Sequence, residues 1–218
     1  MTNFYTSVER FGNNILWRGY ENGKQFSRKV KFQPTLFTNG KKDVTESKFR
    51  SLTTDKPLVP HQLDSMKEAK DFVERYKDVH GLEIAGNTNY VSQFIQEKYP
   101  NEIKFDSSLI NIVSFDIEVD IADGYPDVNT ADKAITSIAY KSSKSSDYHL
   151  LGLKDYDKNK TLLDLHPDNI HFMKFDSEEA LLKRFKELWV NRYPDIITGW
   201  NVEYFDVQYI ITRMKHLF

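Results

Sequence analysis

The chain has 218 residues, a formal net charge of −2 and no cysteine. That excludes disulfides, thiolate metal sites and cysteine nucleophiles, and it leaves no global basic field to attract a polyanion. Hydrophobic content of 39%, with 15 Phe, 12 Tyr and 3 Trp, is enough for packed cores in one large or two small domains.

"FYTSVERF" (Phe4 to Phe11) reads as a strand. Asn22-Gly23 lies between two alternating runs, and both residues tolerate positive φ, so a β-hairpin is predicted there. Residues 38–62 are polar, contain two prolines and read as a long loop. In "DSMKEAKDFVERYKDVHG", Ser65 and Glu68 form a capping box, Met66, Ala69, Phe72, Val73 and Tyr76 keep helical spacing, and Gly81 stands as the C′ glycine. A second helix is predicted around "NYVSQFIQEKY", before Pro100. No stretch near the N-terminus resembles a signal peptide's apolar region and no 18-residue apolar run occurs, so a soluble intracellular protein with no membrane partner is expected.

From about residue 106 the pattern changes, which places a domain boundary between 1–105 and 106–218. "SLINIVSFDIEV" reads as a strand. "AITSIAY" and "YHLLGL" flank the turn "KSSKSSD" as a hairpin, and "IHFMKF" is a further strand. Asp176 with Glu179 reads as a second capping box, opening the helix "EEALLKRFKELWVNRY". "DIITGW" is a short apolar strand ending at Gly199, and "FDVQYIITRMKHL" is a last helix. Strands followed by alternating helix, strand and helix suggest an α/β layer fold.

Side chains alternate faces along a strand, so Ile112, Ser114, Asp116 and Glu118 share one face and Val113, Phe115, Ile117 and Val119 the other. The two carboxylates then lie about 6–7 Å apart. Their repulsion is roughly 2.5 kcal/mol at an effective dielectric of about 20. Either basic partners or cations offset it, unless the strand is an edge with a solvated polar face. In "TGWNVEYFDVQYI", Asn201 reads as a turn or cap residue, and Asp206 opens a helix, where an acid is stabilised. That would carry a third carboxylate to the mouth of the sheet. Three carboxylates without thiols suit hard cations such as Mg²⁺ or Mn²⁺, and paired ions of this kind clamp the attacking and leaving oxygens of a phosphodiester.

"SFDIEV" and "NVEYFDVQYI" resemble the first and second exonuclease motifs of family B DNA polymerases. With "NFYTSVERFGNNIL", "SMKEAKDF" and "TGWN", nearly the whole chain is similar to the N-terminus of polymerases of T4-like bacteriophages. The resemblance implies an α+β N-terminal domain followed by an RNase H-like 3′→5′ proofreading exonuclease domain with a mixed sheet. It implies Asp116, Glu118 and Asp206 as catalytic and metal-holding acids, with Asp116 touching both ions. It also implies Asn201 and Phe205 as residues along the path of a single-stranded DNA 3′ end, and the cytoplasm of an infected bacterium as the setting. The family's third motif, Tyr-x-x-x-Asp, does not follow Asp206, and the polymerase motifs Asp-Thr-Asp and Ser-Leu-Tyr-Pro are absent. The expectation is therefore an incomplete exonuclease domain, not a polymerase on its own, completed by a downstream polypeptide and nearly inactive alone. An autonomous exonuclease, or a non-catalytic module binding RNA or a replication partner, are the alternatives. RNA binding in the N-terminal domain would fall on the basic strand "SRKVKF", whose plainer reading is a solvated strand face. The six histidines show no ligand spacing.

Overall fold

The computed structural model describes residues 3–39, 47–122, 124–157, 160 and 169–218. The chain divides into two compact units, Met1–Ser107 and Ser108–Phe218.

In the first unit β1 (Asn3–Phe11), β2 (Asn14–Glu21) and β3 (Lys24–Lys31) form an antiparallel sheet. The predicted hairpin joins β2 to β3, with Asn22 and Gly23 at φ 52° and 77°. A second sheet, in the order β5-β4-β6, contains β4 (Thr35–Asn39), β5 (Leu58–Gln62) and β6 (Ile84–Ala85). Residues 38–62 are thus not one long loop. Pro57 and Pro60 favour a loop, but among the described residues β4 is the one strand paired with β5, and on the other side Leu58 is bonded to Phe49 and Ser47, so the missing N–H of Pro60 breaks no ladder pair. Residues 40–46 of that stretch lie outside the described residues.

The helices α1 (Met66–Tyr76) and α2 (Tyr90–Lys98) cover a core of Ile15, Trp17, Phe32, Leu36, Leu63, Met66, Ala69, Tyr90 and Phe94. Ser65 caps α1 by accepting from the Glu68 N–H at 3.1 Å. The Glu68 carboxylate reaches back to the amide of Asp64 at 2.7 Å, one residue earlier than the reciprocal bond of a capping box. The helix closes at Lys77, so Gly81, at φ 78°, belongs to the turn beyond it and is not the C′ residue.

In the second unit β7 (Ile112–Val119), β8 (Ile135–Ser142), β9 (Tyr148–Gly152), β10 (Ile170–Lys174) and β11 (Ile196–Thr198) form one sheet in the order β10-β9-β8-β7-β11. β7, β8 and β9 run antiparallel as a meander. β10 joins β9 in parallel, and β11 joins β7 in parallel. The helices α3 (Glu178–Asn191) and α4 (Asp206–Leu217) bury Leu181, Leu182, Phe185, Tyr209 and Ile210 against Val113, Phe115 and Ile117. This is the predicted apolar face of β7. The opposite face, with Ile112, Ser114, Asp116 and Glu118, is exposed. α3 is capped by Ser177, which accepts from the Ala180 N–H at 3.3 Å, and not by Asp176. Ser can cap as well as Asp, and the frame shifts by one residue. Among the described residues no helix is long and apolar enough to cross a membrane.

Candidate active site

β7 lies inside the sheet, between β8 and β11, with its acids on the exposed face of the strand. β11 covers only Ile112 to Ser114, however, and beyond Ser114 that side of β7 has no strand neighbour. There the first residue of α4 takes over. The Asp206 carboxylate accepts the backbone N–H of Ile117 at 2.9 Å, so an amide between Asp116 and Glu118 is satisfied by a side chain. This bond joins the two sequence motifs directly.

The approach is made possible by Gly199. A Cβ at that position would lie 2.8 Å from the carbonyl oxygen of Phe115 and 3.2 Å from Val202 Cβ, so only glycine lets the chain leave β11 this close to β7. Asn201 follows at φ 54°, and its carbonyl accepts from the amides of Tyr204 and Phe205 at 3.1 and 3.0 Å. It therefore acts as a turn residue with its side chain exposed, not as the helix cap. Phe205 occupies the cap position without a side-chain bond and packs on Tyr209, ring centroids 5.5 Å apart.

Asp206 is 2% exposed. Burial pushes its carboxyl above the ordinary carboxylate range. The Ile117 N–H and its own amide oppose that rise, and the negative charges of Asp116 and Glu118 add to it. Among the described residues neither the Asp116 nor the Glu118 side chain has a basic partner or a hydrogen bond. The charges of Asp116 and Glu118 thus act on Asp206, and among the described residues no basic side chain pairs with any of the three. Their all-oxygen donor chemistry fits a hard divalent ion. Among the described residues, though, no three His, Cys, Asp or Glu side chains converge closely enough to form a ready-made metal cage.

A bulge at Glu118/Val119 ends the regular pairing of β7 with β8, and Thr136 Oγ1 donates to the Glu118 carbonyl at 3.1 Å. A groove of about 400 Å³ runs over the exposed face of the sheet from Asp116. Tyr148, Tyr156 and Trp200 line it, and Trp200 is 92% exposed.

Sequence reading missed a polar network farther along α4. Arg213 Nε and Nη2 donate to the two carboxylate oxygens of Glu178 at 2.9 and 2.7 Å, and Glu178 Oε1 also accepts the Ile135 N–H at 2.7 Å. Glu178 reads in sequence only as one of two acids in the first turn of α3. Nothing in the spacing pairs it with an Arg 35 residues away.

A five-stranded mixed sheet with an antiparallel meander at its centre, two helices on one face and acids on its central strand is an RNase H-like architecture. The profile of "DNA polymerase family B, exonuclease domain" matches residues 76–218. The chain belongs to this family. It is similar to the DNA-directed DNA polymerase of Enterobacteria phage T4, with 34% identity over 99% of the chain. It is also similar to the DNA-directed DNA polymerase of Escherichia phage RB69, with 29% identity over 100% of the chain. The chain spans about a quarter of the length of these relatives, 25% and 26% respectively.

Proposed function

We propose that the chain is the N-terminal and proofreading-exonuclease portion of a phage replicative DNA polymerase. Residues 1–105 would form its N-terminal domain and 106–218 would belong to its 3′→5′ exonuclease domain. The observation that carries this reading is the Asp116–Glu118–Asp206 cluster: uncompensated acids on two elements, tied by the bond from Ile117 to Asp206.

Asp116, Glu118 and Asp206 would hold Mg²⁺ or Mn²⁺. Bound there, the ions supply Lewis-acid stabilisation of the attacking and leaving oxygens of a phosphodiester. The chain's own residues prepare the site. Burial, with the charges of Asp116 and Glu118, raises the Asp206 carboxyl, and a bound cation would oppose that rise by favouring the charged form. Gly199 and the Asn201 turn set the start of α4 against β7. The aromatic rings of Tyr148, Tyr156 and Trp200 along the groove would suit the stacked bases of a single-stranded DNA 3′ end, with Asn201 and Phe205 proposed as further residues on its path.

No Tyr-x-x-x-Asp segment follows Asp206 among the 218 residues. A polypeptide of this length is therefore expected to bind one divalent ion poorly and to cleave DNA very slowly, since small misplacements cost about 100-fold. The decisive assay uses 3′-labelled single-stranded DNA with Mn²⁺. The chain alone should be nearly inert. A downstream polypeptide carrying the Tyr-x-x-x-Asp segment, added in trans, should restore 3′→5′ digestion, and Asp206→Ala should abolish the restored activity. Vigorous digestion by the chain alone, lost in Asp116→Ala, would instead establish an autonomous exonuclease.

RNA binding is a weaker proposal for "SRKVKF". Arg28 is committed to Glu21 at 2.7 and 2.6 Å and lies over the rings of Trp17 and Phe26, which leaves the exposed Lys29 and Lys31 for a phosphate backbone. RNA affinity that survives loss of the Asp116 and Glu118 carboxylates but falls in Lys29→Ala/Lys31→Ala would support it.

A further inference from the structure

The N-terminus of α4 has no side-chain cap, and its buried face (Tyr209, Ile210 and, in part, Val207 and Met214) is largely apolar. Apolar contacts are non-directional and do not by themselves fix a helix along its axis. Among the described residues, the side-chain bonds that tie α4 to other elements of the second unit come from Asp206, Tyr209 and Arg213, while Gln208 reaches only the Glu203 carbonyl in the turn before the helix. Spaced three and four apart, the three tying residues lie along one side of the helix over about 10 Å of its length.

Asp206 reaches β7 through the Ile117 amide. The fully buried Tyr209 hydroxyl donates to the Lys133 carbonyl at 2.9 Å and accepts the Lys133 N–H at 3.2 Å. Arg213 Nη1 donates to the carbonyls of Ala131 and Asp132 at 3.1 and 3.0 Å, while its other nitrogens hold Glu178. Ala131 is fully buried at φ 42°, a conformation that persists in a residue with a Cβ only where its surroundings enforce it. Segment 131–135 leads into β8 and is held from two sides, by Tyr209 and Arg213 of α4 and by Glu178 of α3.

We propose that Tyr209 and Arg213, with Glu178 behind Arg213, are positioning residues that lock α4 in axial register and so set where Asp206 stands beside Asp116 and Glu118. This rests on the reading of Asp206 as a member of the acid site. The lock itself is independent of any metal.

The test uses the full 218-residue chain and two variants chosen to fold. Tyr209→Phe keeps the buried ring and loses its two bonds. Glu178→Gln/Arg213→Met removes both charges and keeps an acceptor for the Ile135 amide. Amide hydrogen exchange is read for Ile117 and for β8, in the middle of the sheet, with Mn²⁺ affinity measured beside it. In both variants Ile117 exchange should accelerate by roughly tenfold or more relative to the β8 amides, which marks a local release and not global loosening. Mn²⁺ binding should weaken in parallel. Ile117 and β8 accelerating together, or neither changing, would overturn the proposal and leave the network a purely structural tie. If the unmodified chain binds no Mn²⁺ at all, the metal reading fails, while the exchange result still decides the lock.

Discussion

The two ends of α4 carry buried charge in opposite ways. At Arg213 every charge is matched: the guanidinium meets Glu178 through two bonds, and its remaining donor takes two carbonyls. At Asp206 a carboxylate as deeply buried as Glu178 faces two more acids and receives only amide donors. A matched cluster explains itself as structure, whereas an unmatched one is where we propose that a cation binds. One helix thus carries both a stabilising tie and a candidate reactive centre, and charge balance tells them apart.

Breaking the matched end should have the largest effect. Arg213→Met leaves Glu178 buried without its cation and should cost about 3–5 kcal/mol of stability by denaturant titration. Glu178→Gln/Arg213→Met should recover most of that loss, because no lone charge remains. A single variant that unfolds no more easily than the double one would show that the pair is not buried in solution.

At the unmatched end the effects should come through added cation. At about ten times its dissociation constant, Mn²⁺ should raise the unfolding free energy by about 1.4 kcal/mol. Asp116→Ala should abolish that gain and Glu118→Ala reduce it less, since Asp116 is the position implied to touch both ions. Both variants should keep their fold in chelator, because removing like charges relieves repulsion. A marked fall in their melting temperature without metal would mean the acids are paired structurally.

A smaller effect of opposite sign is expected from Asp206→Asn. The folded chain raises the Asp206 pKa, so the proton binds more tightly to the folded state. The stability this gives is fully present below the unfolded value of about 3.9 and is lost as pH rises through the folded value. The amide keeps an acceptor for Ile117 and removes the charge. In metal-free buffer at neutral pH the variant should therefore melt higher than the parent, and the gap should close as pH falls into the carboxylate range. A variant that melts lower at neutral pH would place a hidden cation beside Asp206.

The smallest effect should appear away from α4. His149 stacks on His171 at 5.8 Å, and its Nδ1 is buried without a partner among the described residues. Burial, with help from His171, holds its pKa below the ordinary value. Its contribution is present above the unfolded value of about 6.5 and is lost as pH falls through the folded value. His149→Phe should flatten the pH dependence of melting in that acid window and leave neutral-pH stability nearly unchanged.

The regular elements of the second unit were readable because their signals are local. Strict alternation marks β7, a 3.6-residue period marks α3, and Asp206 opens α4 where the pattern begins. The errors were also local. Pro60 hid an edge strand, and Ser177 took a cap that Asp176 seemed equally able to make. Which acids the site brings together was readable only from the two motifs in order. The bond from Asp206 to Ile117 and the close passage of Gly199 by Phe115 depend on three-dimensional proximity, as does the pairing of Glu178 with Arg213. No residue spacing encodes them.

The central claim is that Asp116, Glu118 and Asp206 act together as a site for a hard divalent cation. Titrating the metal-free chain with Mn²⁺ at neutral pH, while following paramagnetic broadening of amide resonances along β7 and at the start of α4, tests it most directly. Broadening should centre on residues 116–118 and 206 at millimolar Mn²⁺ and disappear in Asp116→Ala. Broadening spread evenly over the surface acids, or left unchanged by Asp116→Ala, would contradict the account.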